Sequence, residues 1–178
     1  SISLGSSRRD KKTTLKLGNQ TILVERIGCD GDEKKAQALF AEMDGKVDAF
    51  GVGGVEIYIR VLDKNYPLRS GLNLVKKVKQ TPYTDGRGLK YTLERDIYQM
   101  AEPHFQQPIF PHKAMMPLAA DRYGMADSLS RGGFDLVFCD LMFGLGIPIP
   151  VRGMALLRFL GSIIIPIGGL LPIRMLYP

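Results

Sequence analysis

Between residues 21 and 54 the chain changes its hydrophobic rhythm twice, and that alternation restricts the fold more than any other feature. Residues 21–27 (TILVERI) are rich in β-branched side chains and read as a strand that Gly28 breaks. Asp30 or Asp32 can cap a helix over residues 33–43, whose Ala36, Leu39, Phe40 and Met43 share one face, and Gly45 ends it. Residues 47–52 form a third, mostly buried strand closed by Gly53-Gly54. Strand, helix and strand joined by glycine turns argue for an α/β domain with a largely parallel sheet.

The flanks extend the same rhythm. Residues 1–4 read as a strand that runs into the polar loop Gly5-Ser6-Ser7-Arg8-Arg9. Residues 56–62 (EIYIRVL) alternate, and Asp63-Lys64-Asn65 turns them back as a hairpin through Tyr66-Pro67-Leu68. Leu72, Val75 and Val78 mark a short helix with its lysines outward. Pro103, Pro108 and Pro111 then interrupt the pattern, which places a domain boundary there: one unit over residues 1–105 and a second over 106–178. Beyond it come a strand at 114–118, a helix at 121–130, a stop at Gly132-Gly133 and a buried strand at 134–138 (FDLVF), with Asp140 just past its end. The chain has no initiator Met and stops on an apolar run. The expected fold is therefore two α/β units with largely parallel sheets, the second a truncated Rossmann-like unit.

The formal net charge of +6 gathers locally at Arg8, Arg9, Lys11 and Lys12 and at Lys76, Lys77 and Lys79. Without Trp or interleaved aromatics these clusters read as solvated surface, not as a nucleic-acid interface. Cys29 and Cys139 lack short metal-ligand spacing and suggest free thiols in a reducing cytoplasm, and His104 and His112 form no metal pattern. Residues 159–173 carry no charge, but a membrane-spanning helix needs about 20 residues. Pro166, Gly168 and Gly169 also interrupt the run, so it reads as two short apolar helices, and membrane contact is not expected.

Two turns carry the candidate chemistry. In residues 81–95 (TPYTDGRGLKYTLER), Asp85 sits between a strand-like run and a segment whose Leu89, Leu93, Ile97 and Met100 have helical spacing. A carboxylate at such a turn either meets a ligand or caps the helix. In the second turn Asp140 lies 19 residues after Asp121, which suits a strand–turn–helix–strand–acid layout for a dinucleotide. A dinucleotide there would rest on Ala119, Ala120, Asp121, Arg122 and Gly124, with its ribose on Asp140. Of the G-x-G-x-x-G glycines only Gly124 is kept, and the Asp121 carboxylate would repel a phosphate unless Arg122 offsets it. Leu141 and Met142 follow with no Arg, which favours NAD over NADP. An ordinary βαβ unit with no ligand is the alternative.

The segment T-D-G-x-G-L at residues 84–89 resembles the N-T-D-G-x-G motif of shikimate and quinate dehydrogenases. Ser1-Ile2-Ser3 resembles that family's S-x-S. Over most of its length the chain is also similar to bacterial proteins labelled quinate 5-dehydrogenase, through SLGSS, DRYGMA, DLMFGLG and PIP. The resemblance implies an NAD-linked oxidoreductase acting on a small cyclic polyol acid. Asp85 would hold the substrate hydroxyls at the catalytic centre, and Ser1 and Ser3 its carboxylate. The family's N-V-T-x-P-x-K supplies a catalytic Lys, whereas residues 50–56 (FGVGGVE) lack both Pro and Lys. Arg60 and Lys64 lie nearby, but an arginine stays protonated and is a poor general base. Two other readings stay open: a non-catalytic ligand-binding or regulatory module on the same scaffold, and a membrane-surface or partner-bound protein acting through its apolar tail.

Overall fold

A two-residue strand, β1 (Ile2–Ser3), occupies the centre of the largest sheet because it is paired on both sides. A computed structural model describes residues 1–61, 64–107 and 112–170. After β1 come β2 (Lys11–Leu17) and β3 (Gln20–Gly28), an antiparallel hairpin. Its two-residue turn, Gly18-Asn19, has Gly18 at φ +59°, a conformation glycine adopts without steric cost. Asp32 caps α1 (Glu33–Met43) by accepting from the Lys35 amide at 3.0 Å. The chain continues through β4 (Phe50–Gly53), β5 (Tyr58–Val61), β6 (Lys64–Pro67), α2 (Arg69–Val75) and β7 (Tyr83–Thr84). The five-stranded sheet runs β2-β3-β1-β4-β7, parallel throughout except for the edge strand β2. β5 and β6 pair separately.

Then follow α3 (Gly88–Tyr91), α4 (Ile97–Ala101), β8 (Lys113–Met116), α5 (Tyr123–Arg131), β9 (Asp135–Phe138), α6 (Asp140–Leu145), β10 (Val151–Arg152) and α7 (Met154–Gly168). Their sheet has the order β10-β9-β8, with β8 and β9 parallel and β10 antiparallel. The protein is thus mixed α/β with parallel-containing sheets. Among the described residues, 1–58, 67–86 and 170 form one compact unit, while 59–61, 64–66, 87–107 and 112–169 form another. Pro108 and Pro111 of the expected boundary lie outside the described residues.

Each unit has its own core. In the first, Ile2, Ala36, Phe40, Phe50, Val52 and Leu74 are buried together. Phe40 meets Phe50 edge to face at 5.1 Å, so truncating Phe40 to Ala would cost about 3–5 kcal/mol. In the second, Phe138, Ala126, Leu136, Val151 and Leu157 form the cluster, and α7 contributes its buried Leu157 and Gly161. The opposite side of α7 leaves Leu156, Phe159, Ile163 and Ile167 exposed. Pro166 does not break the apolar run into two short helices as expected: the single helix α7 starts at Met154 and carries Pro166 inside it to Gly168, and residues 171–173 lie outside the described part. Among the described residues no helix is long and apolar enough to cross a membrane.

Asp44, just past α1, closes the first unit by accepting backbone hydrogen bonds from Thr81 (2.8 Å), Lys79 (2.7 Å) and Gln80 (3.1 Å). These amides, Thr81 foremost, hold its carboxyl at about 2, below the ordinary 3.8. A depressed acid contributes stability that is complete above its unfolded pKa and is lost as pH falls towards the folded one. Thermal melts of the wild type should therefore lose stability as pH drops from 3.8 towards about 2. That component should be missing in Asp44→Ala; an identical acid limb in both proteins would refute it.

Candidate functional site

In the first unit, β3, β1, β4 and β7 run parallel, so their carboxyl ends share one edge. The turns leaving that edge are stitched together by backbone hydrogen bonds. Cys29, Asp30 and Gly31 amides donate to the carbonyls of Ser3 (2.8 Å), Gly5 (3.2 Å) and Leu4 (2.8 Å), and the Leu4 amide donates to Gly53 (2.9 Å). Carboxylates secure what remains. Asp10 accepts from the Gly28 amide (2.6 Å), Asp30 from the Ser7 amide (2.7 Å) and Asp85 from the Ile57 amide (2.8 Å). Asp85 therefore holds the turn beyond β7. It does not cap α3, whose N-cap position is Arg87.

Ser3 stands at the carboxyl end of β1, buried, with its Oγ accepting from the Gly5 amide at 3.1 Å. Ser1 lies two residues back on the same side of the strand. Each serine packs over a glycine of β4: the Ser1 Oγ is 3.1 Å from where a Cβ of Gly51 would stand, and the Ser3 Oγ 2.9 Å from that of Gly53. The pair shares a face, over the glycines of β4.

Two guanidinium groups meet above Gly5. A Cβ at Gly5 would lie 2.5 Å from Arg9 Nη2, 3.1 Å from Arg26 Nη2 and 3.3 Å from Ser3 Oγ. Arg26 is fixed through Nη1, which donates to Asp10 (2.8 Å) and to the Ser6 carbonyl (3.0 Å). Arg9 ends a 3-10 turn, Ser7–Arg9, and among the described residues no carboxylate pairs with it. Arg8 and Arg9, read from the sequence as solvated charge, are both exposed.

In the second unit the turn at residues 119–124 is occupied by the protein's own groups. The Ala120 amide donates to Asp140 Oδ1 at 2.7 Å. Burial pushes the Asp140 carboxyl up, while the Ala120 and Ala119 amides pull it back. Asp121 pairs with Lys90 at 2.7 Å and lies 3.7 Å from Arg122, which in turn bonds Glu94. Gly124 gives α3 room, since a Cβ there would stand 2.1 Å from the Lys90 carbonyl oxygen.

The helix after Asp85 differs from its expected form. Thr92 leaves helical geometry at φ −111°, ψ −85°, and its hydroxyl donates to the Gly88 carbonyl at 2.9 Å, so α3 and α4 are separated by a 3-10 turn. Leu89, Leu93 and Met100 are exposed; Lys90, Glu94 and Tyr98 are the buried residues. The helical spacing of Leu89, Leu93, Ile97 and Met100 does not carry one continuous helix, and the buried residues fall one position after the leucines. α5 explains this, because its Ser128 bonds the Tyr98 amide at 3.1 Å and the turn before it supplies Asp121 and Arg122.

Arg60, weighed as a substitute base, gives its amide to the Tyr91 hydroxyl at 2.9 Å and lays its guanidinium over that ring, while Lys64 is exposed on β6. Cys29 and Cys139 are free and buried. Among the described residues no group of three or more His, Cys, Asp and Glu could hold a metal ion.

Two substitutions test this arrangement. Gly124→Ala should destabilise by about 1–3 kcal/mol through overpacking against α3. Asp140→Ala should cost about 1–3 kcal/mol by stranding the Ala120 amide, whereas Asp140→Asn should avoid most of that loss because its carbonyl still accepts. Denaturant melts read both, and a silent Gly124→Ala would contradict the close approach.

Residues 1–85 match the family model DUF8753, a domain of unknown function, and residues 88–178 match DUF8754, also a domain of unknown function. No curated protein and no solved structure matches the chain. The second of these models spans more than half of the sequence, and the chain belongs to the DUF8754 domain family.

Proposed function

We propose that the protein binds a small hydroxylated carboxylic acid at the carboxyl edge of the first unit's sheet and holds it without turning it over. The observation that carries this reading is the shared edge of β3, β1, β4 and β7, with their turns tied to one another. In open parallel sheets ligands sit outside the carboxyl ends of the strands. The resemblance to bacterial proteins labelled quinate 5-dehydrogenase supplies the ligand class, a cyclic polyol acid. Asp85 contributes by fixing the turn beyond β7 through the Ile57 amide. Binding without turnover is supported by residues 50–56, which lack the family's Lys.

A second reading makes the protein an NAD-linked oxidoreductase acting on the same class of acid. The order β8, turn, α5, β9, Asp140 favours it, because a Rossmann-like half places its pyrophosphate at such a turn and its ribose on such an acid. Against it, Asp140 Oδ1 is taken by the Ala120 amide and Asp121 by Lys90.

Calorimetry with NAD and thermal shift with quinate separate the two. Binding without turnover predicts a raised Tm with quinate and no heat with NAD. Heat with NAD that disappears in Asp140→Ala would install the oxidoreductase reading instead. No Tm shift at saturating quinate would remove the proposed ligand class.

A further inference from the structure

We infer that Arg9 and Arg26, converging above Gly5, form a subsite for a compact oxyanion, a carboxylate or a phosphate, on the ligand of the first unit. The inference rests on the reading of that edge as a binding site and adds the group that orients the ligand there. Three observations carry it. The first is proximity: Arg9 Nη2 and Arg26 Nη2 both approach the place a Gly5 side chain would fill. A residue with a Cβ would push Arg9 aside, so glycine at this position makes room for the guanidinium at the end of β1.

The second is charge. Asp10 offsets Arg26, at 2.8 Å, and among the described residues no carboxylate offsets Arg9. Two like charges held close repel each other, and an anion between them relieves the repulsion while accepting hydrogen bonds from both. Guanidinium groups suit this task because their planar N–H edges match carboxylate and phosphate oxygens. Asp30, on the adjoining turn, is engaged by the Ser7 amide at 2.7 Å.

The third is preorganisation. Arg26 is locked by Asp10 and by the Ser6 carbonyl through Nη1, and its Nη2 faces Gly5. The loop carrying Arg9 is anchored at Ser7 by Asp30, and at Asp10 by the Gly28 amide and the Asp10 amide bond to Ser7. A Cβ at Gly28 would lie 2.6 Å from the Ser7 amide nitrogen, so this loop rests directly on β3. A fixed loop lowers the ordering cost of binding.

The test compares quinate, quinate methyl ester and inorganic phosphate on wild type, Arg9→Gln and Gly5→Ala by calorimetry, with melts as a folding control. Arg9 is exposed and Gly5 has ordinary negative-φ backbone, so both variants should melt like wild type. Binding of quinate or phosphate should weaken about tenfold in each variant, the loss of one charge-assisted hydrogen bond. The methyl ester, which lacks the charge, should bind wild type about as weakly as quinate binds Arg9→Gln. Phosphate binding that is lost in Arg9→Gln, with no quinate binding, keeps the oxyanion subsite and removes the hydroxy-acid reading. Equal quinate affinity in wild type and Arg9→Gln, or equal affinity for quinate and its ester, overturns the subsite while leaving a ligand at the edge. No binding of any probe overturns both.

Discussion

An aspartate carboxylate gripping a backbone amide is the interaction on which the turns of this protein depend. Asp10 holds Gly28, Asp30 holds Ser7, Asp44 holds the 79–81 segment, Asp85 holds Ile57, and Asp140 holds Ala120. A strand of two residues such as β1 contributes few ladder bonds of its own. Its position is set instead by neighbours on both sides and by turns that cannot drift. Charge-assisted bonds of this kind are about twice as strong as neutral ones, and each satisfies an amide that the sheet leaves unpaired. The carboxylates that sequence reasoning assigned to ligands are thus spent, at least in part, on architecture.

The alternation of residues 21–54 was legible because burial there is local and periodic. Ala36 and Phe40 turned inward as a helical face requires, and Asp32 was one of two plausible caps. β2 was not anticipated, since Lys11–Leu17 is exposed on both faces and shows no buried period. Its strand character comes from pairing with β3, a non-local cause. The helix after Asp85 shows the same limit more sharply. Its leucines carry a helical spacing, yet the partner decides which face turns inward, and that partner is a turn whose Asp121 and Arg122 lie 31 and 28 positions from the residues they meet.

Of the candidate site, Ser1 and Ser3 were picked out by their resemblance to an S-x-S motif, and both lie over the glycines of β4. Arg9 and Arg26 were not, because 17 positions separate them and it is the pairing of β2 with β3, which sets Lys11 opposite Arg26, that brings them together. The second unit poses a different problem. Its Lys90–Asp121 and Arg122–Glu94 pairs each put one nearly buried partner against one partly exposed partner. Removing Arg122 would strand the Glu94 carboxylate, which has little solvent access, so such a pair specifies an arrangement more than it stabilises it. That makes the interior of the second unit selective about which helix face it accepts.

The hairpin of β2 and β3 has a further consequence. Thr13, Leu15 and Leu17 stand opposite Val24, Ile22 and Gln20 on one face, and β2 is the last strand of its sheet. An exposed edge with apolar neighbours is a template on which further strands can add. Lys11, Lys12 and Lys16 punctuate that edge, so two copies approaching side by side would bring rows of ammonium groups together. The lysines act as gatekeepers against edge-to-edge aggregation, and their effect weakens as added salt screens the repulsion.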